Sequence, residues 1–283
     1  MEKENLTDQI TPQTLGDIRL LADFLGPRDF PLLTRQSLKT STGLDQADAF
    51  VLFGGSILEG VEVLHEAIEN HLARTYVIVG GAGHTTQSLR DKARELFVDV
   101  RLDEGVSEAR LFETLLESRY GMKADLLEEK STNCGNNITF LLDVLEKNKV
   151  SWNSVILCQD SSMQRRMSAG LEKQLLDQFT AGSSHYMLPK TIINYAVSRP
   201  QPVIKEGRLA FDHEPLGMWK PERYLSLLLG EIPRLYDSPE GYGPNGAGYI
   251  AHVDIPQPVL EAFKRLALQF PELIRQANPA FAS

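Results

Sequence analysis

The sequence predicts an α/β fold in which helices flank a parallel β-sheet. Short apolar runs, typical of strands that are buried on both faces, alternate with segments that carry apolar residues at helical spacing. Strands that alternate with helices pair in parallel through right-handed crossovers. The length of 283 residues suits one large domain of this class together with a smaller annex.

Five apolar runs are the predicted strands. In chain order they are Ala49–Phe53, Tyr76–Val79, Leu126–Leu127, Val155–Cys158 and His185–Leu188. The predicted helices are an N-terminal one capped by Thr11 with Pro12 in its first turn, a short one near 32–38, and longer ones at 58–72, 107–120, 138–148 and after residue 166.

The strand–helix alternation stops after about Val197, and the Pro-containing stretch Ser198–Pro202 is typical of a linker. Beyond it we expect a helix near Glu222–Leu229, a Gly/Pro-rich loop over Ser238–Gly248 and a C-terminal helix from about Pro258. The predicted organisation is therefore an α/β ligand-binding domain at 45–200, with 1–44 and 201–283 forming a mainly helical annex.

Composition excludes several classes of function. The net charge of −9 and the pI of about 5.3 argue against a duplex nucleic acid partner, which needs a concentrated basic face. We see neither a secretory signal nor an apolar stretch near the roughly 20 residues that cross a bilayer. Two cysteines are too few for a disulfide framework, and no Cys/His spacing resembles a zinc site. We expect a cytoplasmic protein with a small-molecule ligand.

The predicted strands end in small or polar residues, and parallel strands deliver their carboxyl ends to one edge of the sheet, where ligands bind. Gly54, Gly55, Gly80, Gly81 and Gly83 follow the first two strands. Such glycines let the backbone approach a ligand closely, although they also serve as plain turn residues. The third glycine of a dinucleotide fingerprint is absent, and so is a Walker lysine motif.

A polar cluster follows the third strand. Ser131, Thr132 and Asn133 are good N-cap residues for the next helix, and Asn136 and Asn137 lie in its first turn. One cap needs one residue, so we interpret the cluster as part of a ligand site, with capping alone as the alternative. In the same stretch Cys134 is more simply a small thiol than a catalytic one, because no base is paired with it.

Charged residues near the strand ends are candidates for chemistry. Arg165 and Arg166 lie near a helix N-terminus, where one of them could hold an anion, or both could point to solvent. His84 is a candidate general acid/base, and a lone histidine is also often structural. Glu129 is a candidate carboxylate for a ribose or ammonium group, and Glu108 could bind ligand or cap a helix.

These motifs resemble those of the YdcF-like bacterial proteins, a domain-of-unknown-function family that also includes SanA and ElyC. The resemblance covers most of the chain and its motifs are specific. In the α/β part they are Gly54-Gly55, Gly80-Gly81, Ser107-Glu108-Ala109, Ser131–Gly135, Gln159-Asp160 and Met163–Arg166. In the C-terminal part they are Trp219, Pro221–Leu227, Gly230-Glu231, Pro233–Leu235, Gly241–Pro244 and His252–Asp254.

The resemblance implies a Rossmann-like fold and S-adenosylmethionine as the ligand. Asn136 stands where relatives usually carry a glutamate, and Gln164 stands where they usually carry a histidine. Acid–base chemistry at those two positions is therefore not carried over. The membrane anchor of the envelope-linked relatives is absent as well, so their location does not transfer.

We therefore expect S-adenosylmethionine to bind at the carboxyl ends of the strands. The alternatives are a hydrolase or transferase for an anionic, phosphorylated metabolite, and a non-catalytic sensor. Tyr242 could stack on the ligand from a loop that acts as a lid. The predicted catalytic residues are His84 and Glu129, with no metal. The predicted ligand-binding residues are Gly54, Gly55, Ser56, Gly80, Gly81, Gly83, Glu108, Ser131, Thr132, Asn133, Asn136, Asn137, Gln159, Asp160, Gln164, Arg165, Arg166 and Tyr242.

Overall fold

A five-stranded parallel sheet confirms the predicted Rossmann-like α/β fold. The structure, a computed structural model, describes residues 10–83, 85–180 and 191–274. The strands are β1 (Ala47–Phe53), β2 (Ala73–Val79), β3 (Leu126–Glu128), β4 (Ser154–Cys158) and β5 (Thr191–Asn194). Their order across the sheet is β3-β2-β1-β4-β5, and every neighbouring pair is parallel.

Helices connect the strands and cover the sheet. They are α1 (Pro12–Leu25), α2 (Arg35–Thr42), α3 (Gly60–Glu69), α4 (Thr86–Leu96), α5 (Glu108–Tyr120), α6 (Cys134–Lys147) and α7 (Gln164–Thr180). One face of β1, β2 and β4 packs with apolar residues of α6 and α7 in a buried core. The sequence forms the strands here because apolar side chains occupy both faces of β1 and β4, as expected for a sheet that is covered on both sides.

The strand order places a topological switch point at the centre of the sheet. From β1 the chain runs outward through β2 and β3, and it then returns to the other side of β1 as β4 and β5. The connections that leave β1 and β4 therefore diverge, which opens a crevice at their carboxyl ends. Gly54-Gly55 and Gln159-Asp160 follow these two strands directly.

Four of the five predicted strands are confirmed. The fifth prediction, His185–Leu188, falls outside the described residues, and the fifth strand of the sheet is β5. The sequence analysis did not predict α4, whose apolar stripe is thin: Leu89 and Ala93 are its only buried hydrophobic residues. The predicted cap at Thr11 is confirmed, since its Oγ1 accepts the Thr14 N–H at 3.1 Å.

The chain forms two compact units. The α/β unit contains residues 26–198 and 215–218, and it includes residues 26–44, which the sequence analysis assigned to the annex. Backbone contacts explain this difference, because the Asp29 N–H donates to the Asn194 carbonyl at 2.9 Å, at the end of β5. The Arg28 guanidinium also donates to the carbonyls of Ala196 and Val197.

The other unit contains residues 1–25, 199–214 and 219–283. Its helices are α1, α8 (Pro221–Arg234) and α9 (Gln257–Gln269), followed by a short 3-10 helix at Pro271–Leu273. It also contains an antiparallel hairpin, β6 (Pro202–Lys205) and β7 (Arg208–Phe211), which the mainly helical prediction lacked. The hairpin turns at Glu206 and Gly207, both with positive φ, as a type I′ turn requires.

An ion pair between a buried aspartate and an exposed arginine joins two helices of this unit. The Arg265 guanidinium on α9 donates to both carboxylate oxygens of Asp17 on α1, at 2.8 Å each. This bidentate contact lowers the pKa of Asp17 and keeps it ionised.

Across the described residues, no helix combines the length and the apolar character that a bilayer-spanning segment requires.

Candidate functional site

The loops that follow β1, β2, β3, β4 and β5 meet at one edge of the sheet, which we call the edge site. It comprises residues 54–56, 80–83, 128–133, 159–162 and 198, together with Glu108. Backbone contacts tie its loops together: the Gly54 N–H donates to the Val79 carbonyl at 2.5 Å, and the Gly80 N–H donates to the Glu128 carbonyl at 2.9 Å. The predicted convergence of these loops is thus present in the structure.

Glu108, the first residue of α5, is a buried carboxyl beneath the glycine loops. Its N–H and that of Ala109 donate to the carbonyls of Gly81 and Gly80, at 2.8 Å each. Its Oε1 accepts the Thr86 hydroxyl at 2.6 Å. A Cβ at Gly54 would lie 2.6 Å from Glu108 Oε2, so a glycine at this position leaves room for the carboxyl. With only 8% of the residue exposed, burial raises the pKa of Glu108.

Asp160, at the end of β4, is the second buried carboxyl, with 2% exposed. Its Oδ2 accepts the Ser56 N–H at 2.7 Å. A Cβ at Gly55 would lie 2.5 Å from its Oδ1. Burial raises the pKa of Asp160 to about 7, and the nearby charge of Glu108 contributes to this rise. A carboxyl with such a pKa can exchange a proton near neutral pH.

The loops after β2 and β3 are joined through Gly81 and Ser131. The Gly81 N–H donates to Ser131 Oγ at 2.8 Å, and the Ala82 N–H donates to the Ser131 carbonyl at 3.0 Å. Ser131 is buried, and its own N–H donates to Glu128 Oε1 at 3.0 Å. The side chain of Ser131 therefore shapes the edge site, while Gly83 beside it is exposed.

Two buried glutamines hold the loop after β4. Gln164 Oε1 accepts the Gln159 N–H at 2.8 Å, and its amide nitrogen donates to the Leu157 carbonyl and to Asn194. The Gln159 amide donates to the Gly54 carbonyl at 3.1 Å and accepts the Asp160 N–H at 2.6 Å. Both donor hydrogens of the Gln164 amide are therefore used inside the protein. Gln164 acts as a structural brace: its hydrogen bond to Gln159 stabilises the backbone next to Asp160.

The start of α6 is an N-cap. Asn133 Oδ1 accepts the Asn136 N–H at 2.9 Å, so of the three capping types predicted here Asn133 is the cap. Thr132 and Asn133 both donate to Asn136 Oδ1, at 3.0 and 3.2 Å. Asn137 is buried in the same turn, while Thr132 is exposed at the rim of the edge site.

Glu129 is engaged with Arg110 at the surface. The Arg110 guanidinium donates to both carboxylate oxygens at 3.2 and 2.7 Å, and the Ser107 hydroxyl donates at 2.9 Å. These contacts lower the pKa of Glu129, with the Arg110 hydrogen bond as the largest cause. Because its pKa is lowered, Glu129 stays ionised at neutral pH. Burial instead raises the pKa of Glu108 and of Asp160, which suits groups that take up and release a proton.

Replacing Glu129 by glutamine is expected to change the free energy of unfolding by no more than about 1 kcal/mol, because exposed ion pairs contribute little. Urea unfolding at pH 7 measures this, and Arg110→Ala supplies the second arm of a double-mutant cycle. A loss well above that magnitude would show that the pair is a structural element of the edge site.

Three other predicted site residues are not part of this buried set. Arg165 is half-buried in the first turn of α7, where burial lowers its pKa and the carboxylates of Asp29 and Glu172 oppose that change. Arg166 is also half-buried in this turn. Tyr242 belongs to the other unit, where its ring packs edge-on against Tyr249 at 5.3 Å. His84 falls outside the described residues, so its predicted catalytic role stays a prediction.

The sequence analysis missed three polar atoms at the edge site. Glu128 Oε2, Ser162 Oγ and Ser198 Oγ have no hydrogen-bond partner in the described structure, and these residues are only 3%, 1% and 4% exposed. Glu128 is the last residue of β3, while Ser162 and Ser198 follow β4 and β5. Natural proteins satisfy nearly all buried polar atoms, so unpaired ones mark places where a water or a ligand group is needed. The sequence does indicate Glu128, which lies two residues after Leu126 on the same strand face.

No protein-family model matches the sequence. Within the described ranges, no group of three or more His, Cys, Asp or Glu side chains is arranged to hold a metal ion. The chemistry of the edge site is therefore that of two buried carboxyls and several unpaired acceptors and hydroxyls. Such a set accepts hydrogen bonds and attracts positive charge.

Proposed function

We propose that this chain is a YdcF-like protein that binds S-adenosylmethionine at the edge site. The observation that carries the proposal is the pair of buried carboxyls, Glu108 and Asp160, on either side of the Gly54-Gly55 turn at the switch point of the sheet. S-adenosylmethionine brings a sulfonium, an ammonium group and ribose hydroxyls, all of which a carboxylate can bind. Its own carboxylate needs hydroxyl and N–H donors, for which Ser162 and Ser198 are candidates.

Charge at the edge site supports a cationic ligand over a phosphorylated one. In the described part of the chain, neither Glu108 nor Asp160 has a lysine or arginine as a hydrogen-bond partner. A phosphate next to carboxylates that lack a charged hydrogen-bond partner would be repelled. The hydrolase or transferase of an anionic metabolite is therefore the weaker proposal, and it needs Arg165 or Arg166 to provide the anion site.

Isothermal titration of the purified chain with S-adenosylmethionine tests the proposal, with S-adenosylhomocysteine and adenosine 5′-monophosphate as comparison ligands. Losing the sulfonium charge is expected to weaken binding by about tenfold or more, since a unit charge near a buried carboxylate contributes more than 1 kcal/mol. The monophosphate is expected to bind more weakly than S-adenosylhomocysteine. The absence of saturable heat at millimolar S-adenosylmethionine would contradict the proposal.

Turnover separates an enzyme from a sensor. Incubating the protein with bound S-adenosylmethionine and following its conversion by mass spectrometry distinguishes the two. A phosphoester panel, assayed with and without divalent metal, tests the alternative reaction class.

We also propose a reducing, cytoplasmic setting, because both cysteines, Cys134 and Cys158, are free thiols.

A further inference from the structure

Among the described residues, neither of the two buried carboxyls of the edge site has a charged hydrogen-bond partner. Asp160 has the Ser56 N–H as a partner, and Glu108 has the Thr86 hydroxyl. Thr86 is itself tied to the loop, because its Oγ1 accepts the Gly83 N–H at 2.7 Å. Neutral donors of this kind stabilise a carboxylate only in part, so most of the cost of burying two negative charges is left uncompensated.

The two carboxyls contact neighbouring residues of a single turn. Glu108 lies against Gly54 and Asp160 lies against Gly55, each closely enough to exclude a Cβ. Consecutive Cα atoms are about 3.8 Å apart, so both carboxyls pack on one dipeptide. The negative charge of Glu108 makes ionisation of Asp160 less favourable and adds to the rise in the pKa of Asp160 that burial causes.

The surrounding charges do not cancel this repulsion. On α4, Arg90 acts on Glu108 electrostatically, but its Nε donates to the Val106 carbonyl at 2.8 Å. On the β4 side, Asp160 interacts with the buried thiol of Cys158, which is also influenced by Arg28. The end of β3 adds another carboxyl, Glu128, with its unpaired Oε2.

We propose that the ligand-free protein holds a proton on the Glu108–Asp160 carboxyl pair, and that a cationic ligand displaces this proton to solvent when it binds. The inference rests on the proposed function and adds a regulatory property to the same site. The step is a simple exchange: a carboxylic O–H bond breaks, the proton passes to the buffer, and the carboxylate faces the cation. Ligand affinity then falls as the pH falls.

Titration calorimetry with S-adenosylmethionine measures this exchange. Binding heats are compared in phosphate and imidazole, which both buffer in this range and whose ionisation enthalpies differ, at pH 6, 7 and 8. Because the pKa of Asp160 is raised to about 7, about half a proton is expected to be released at pH 7, nearly one at pH 6 and little at pH 8. Affinity is expected to fall about tenfold per pH unit below pH 6.

Variants separate this pair from other buried carboxyls. Asp160→Asn is expected to abolish most of the proton release. Glu113→Gln is the matched control: Glu113 is a buried carboxyl on α5 whose pKa is raised by burial, and its Oε2 accepts the Ala124 N–H outside the edge site. This variant is expected to release the same number of protons as the wild type.

Infrared difference spectroscopy of the ligand-free protein gives a second readout. The carbonyl stretch of a protonated carboxylic acid is expected at pH 6 and is expected to weaken in Asp160→Asn. Its absence from the ligand-free wild type would overturn the proposal whether or not S-adenosylmethionine binds. Saturable binding with identical heats in all buffers would overturn the displacement step alone, whereas failure to bind would contradict the proposed ligand.

Discussion

Replacing Gly81 by alanine is expected to destabilise the α/β unit by about 3–5 kcal/mol. A Cβ at this position would lie 2.0 Å from the Ser131 carbonyl oxygen and 2.7 Å from its N atom, both backbone atoms. The loops after β2 and β3 would have to separate, losing the Gly81–Ser131 and Ala82–Ser131 hydrogen bonds. Each bond contributes about 1 kcal/mol, and overpacking adds about 1–3 kcal/mol. Thermal unfolding is expected to begin about 6–20 °C lower.

Gly135→Ala is the matched control for this prediction. Gly135 lies in the first turn of α6 and is exposed, and the nearest atom to its added Cβ is the Asn133 side-chain oxygen at 3.3 Å. Its stability is expected to stay within about 1 kcal/mol of the wild type, because alanine is favoured in helices and the contact is slight. Equal stability of Gly81→Ala and Gly135→Ala would contradict the close approach of the two loops.

The architecture of the α/β unit follows from the sequence because its elements are encoded locally. Continuous apolar runs such as Phe50–Phe53 and Val155–Cys158 are typical of strands covered on both faces, and the helices between them repeat apolar residues at helical spacing. Helix α4 was not predicted because few of its apolar residues are buried, so the spacing of apolar residues along it is a weak helical signal.

The internal contacts of the edge site could not be predicted, because they depend on residues distant in sequence. The pairs of glycines after buried strands predicted that the backbone approaches a ligand closely. The structure identifies that partner at Gly54, Gly55 and Gly81 as the protein's own groups, Glu108, Asp160 and Ser131. Burial of a charged residue is likewise a tertiary property, and no local pattern distinguishes the buried Asp160 from the exposed, paired Glu129.

Gln164 shows how a predicted ligand residue can become a structural one. The sequence analysis included Gln164 among the ligand-binding residues. In the structure its side-chain amide forms hydrogen bonds with Gln159, Leu157 and Asn194 inside the protein. An amide provides two donors and an acceptor, which is what three backbone and side-chain partners on β4 and β5 require. The Asp160 carboxyl is held by this arrangement, so the brace and the proton carrier are neighbours along the chain.

Replacing Asp160 by asparagine is expected to stabilise the protein at alkaline pH and to have little stabilising effect at acidic pH. The folded-state pKa of Asp160 is raised to about 7 from an ordinary 3.8. The folded protein therefore binds a proton that the unfolded chain does not bind between these values. Stability contributed by that proton is complete below about pH 4, and it is lost as the pH rises to about 7.

The magnitude follows from the width of this window. Each pH unit within it changes the free energy of unfolding by about 1.4 kcal/mol, so the wild type loses about 3–5 kcal/mol that Asp160→Asn keeps. Urea unfolding of both proteins at several pH values between 5 and 8 measures the difference between them, which cancels the titration of carboxyls such as Glu113 that both share. A difference that does not change with pH would show that Asp160 is ionised throughout. An ionised, buried Asp160 would then need a cation that the edge site lacks among its described residues, and the carboxyl pair could no longer store the proton that ligand binding is expected to release.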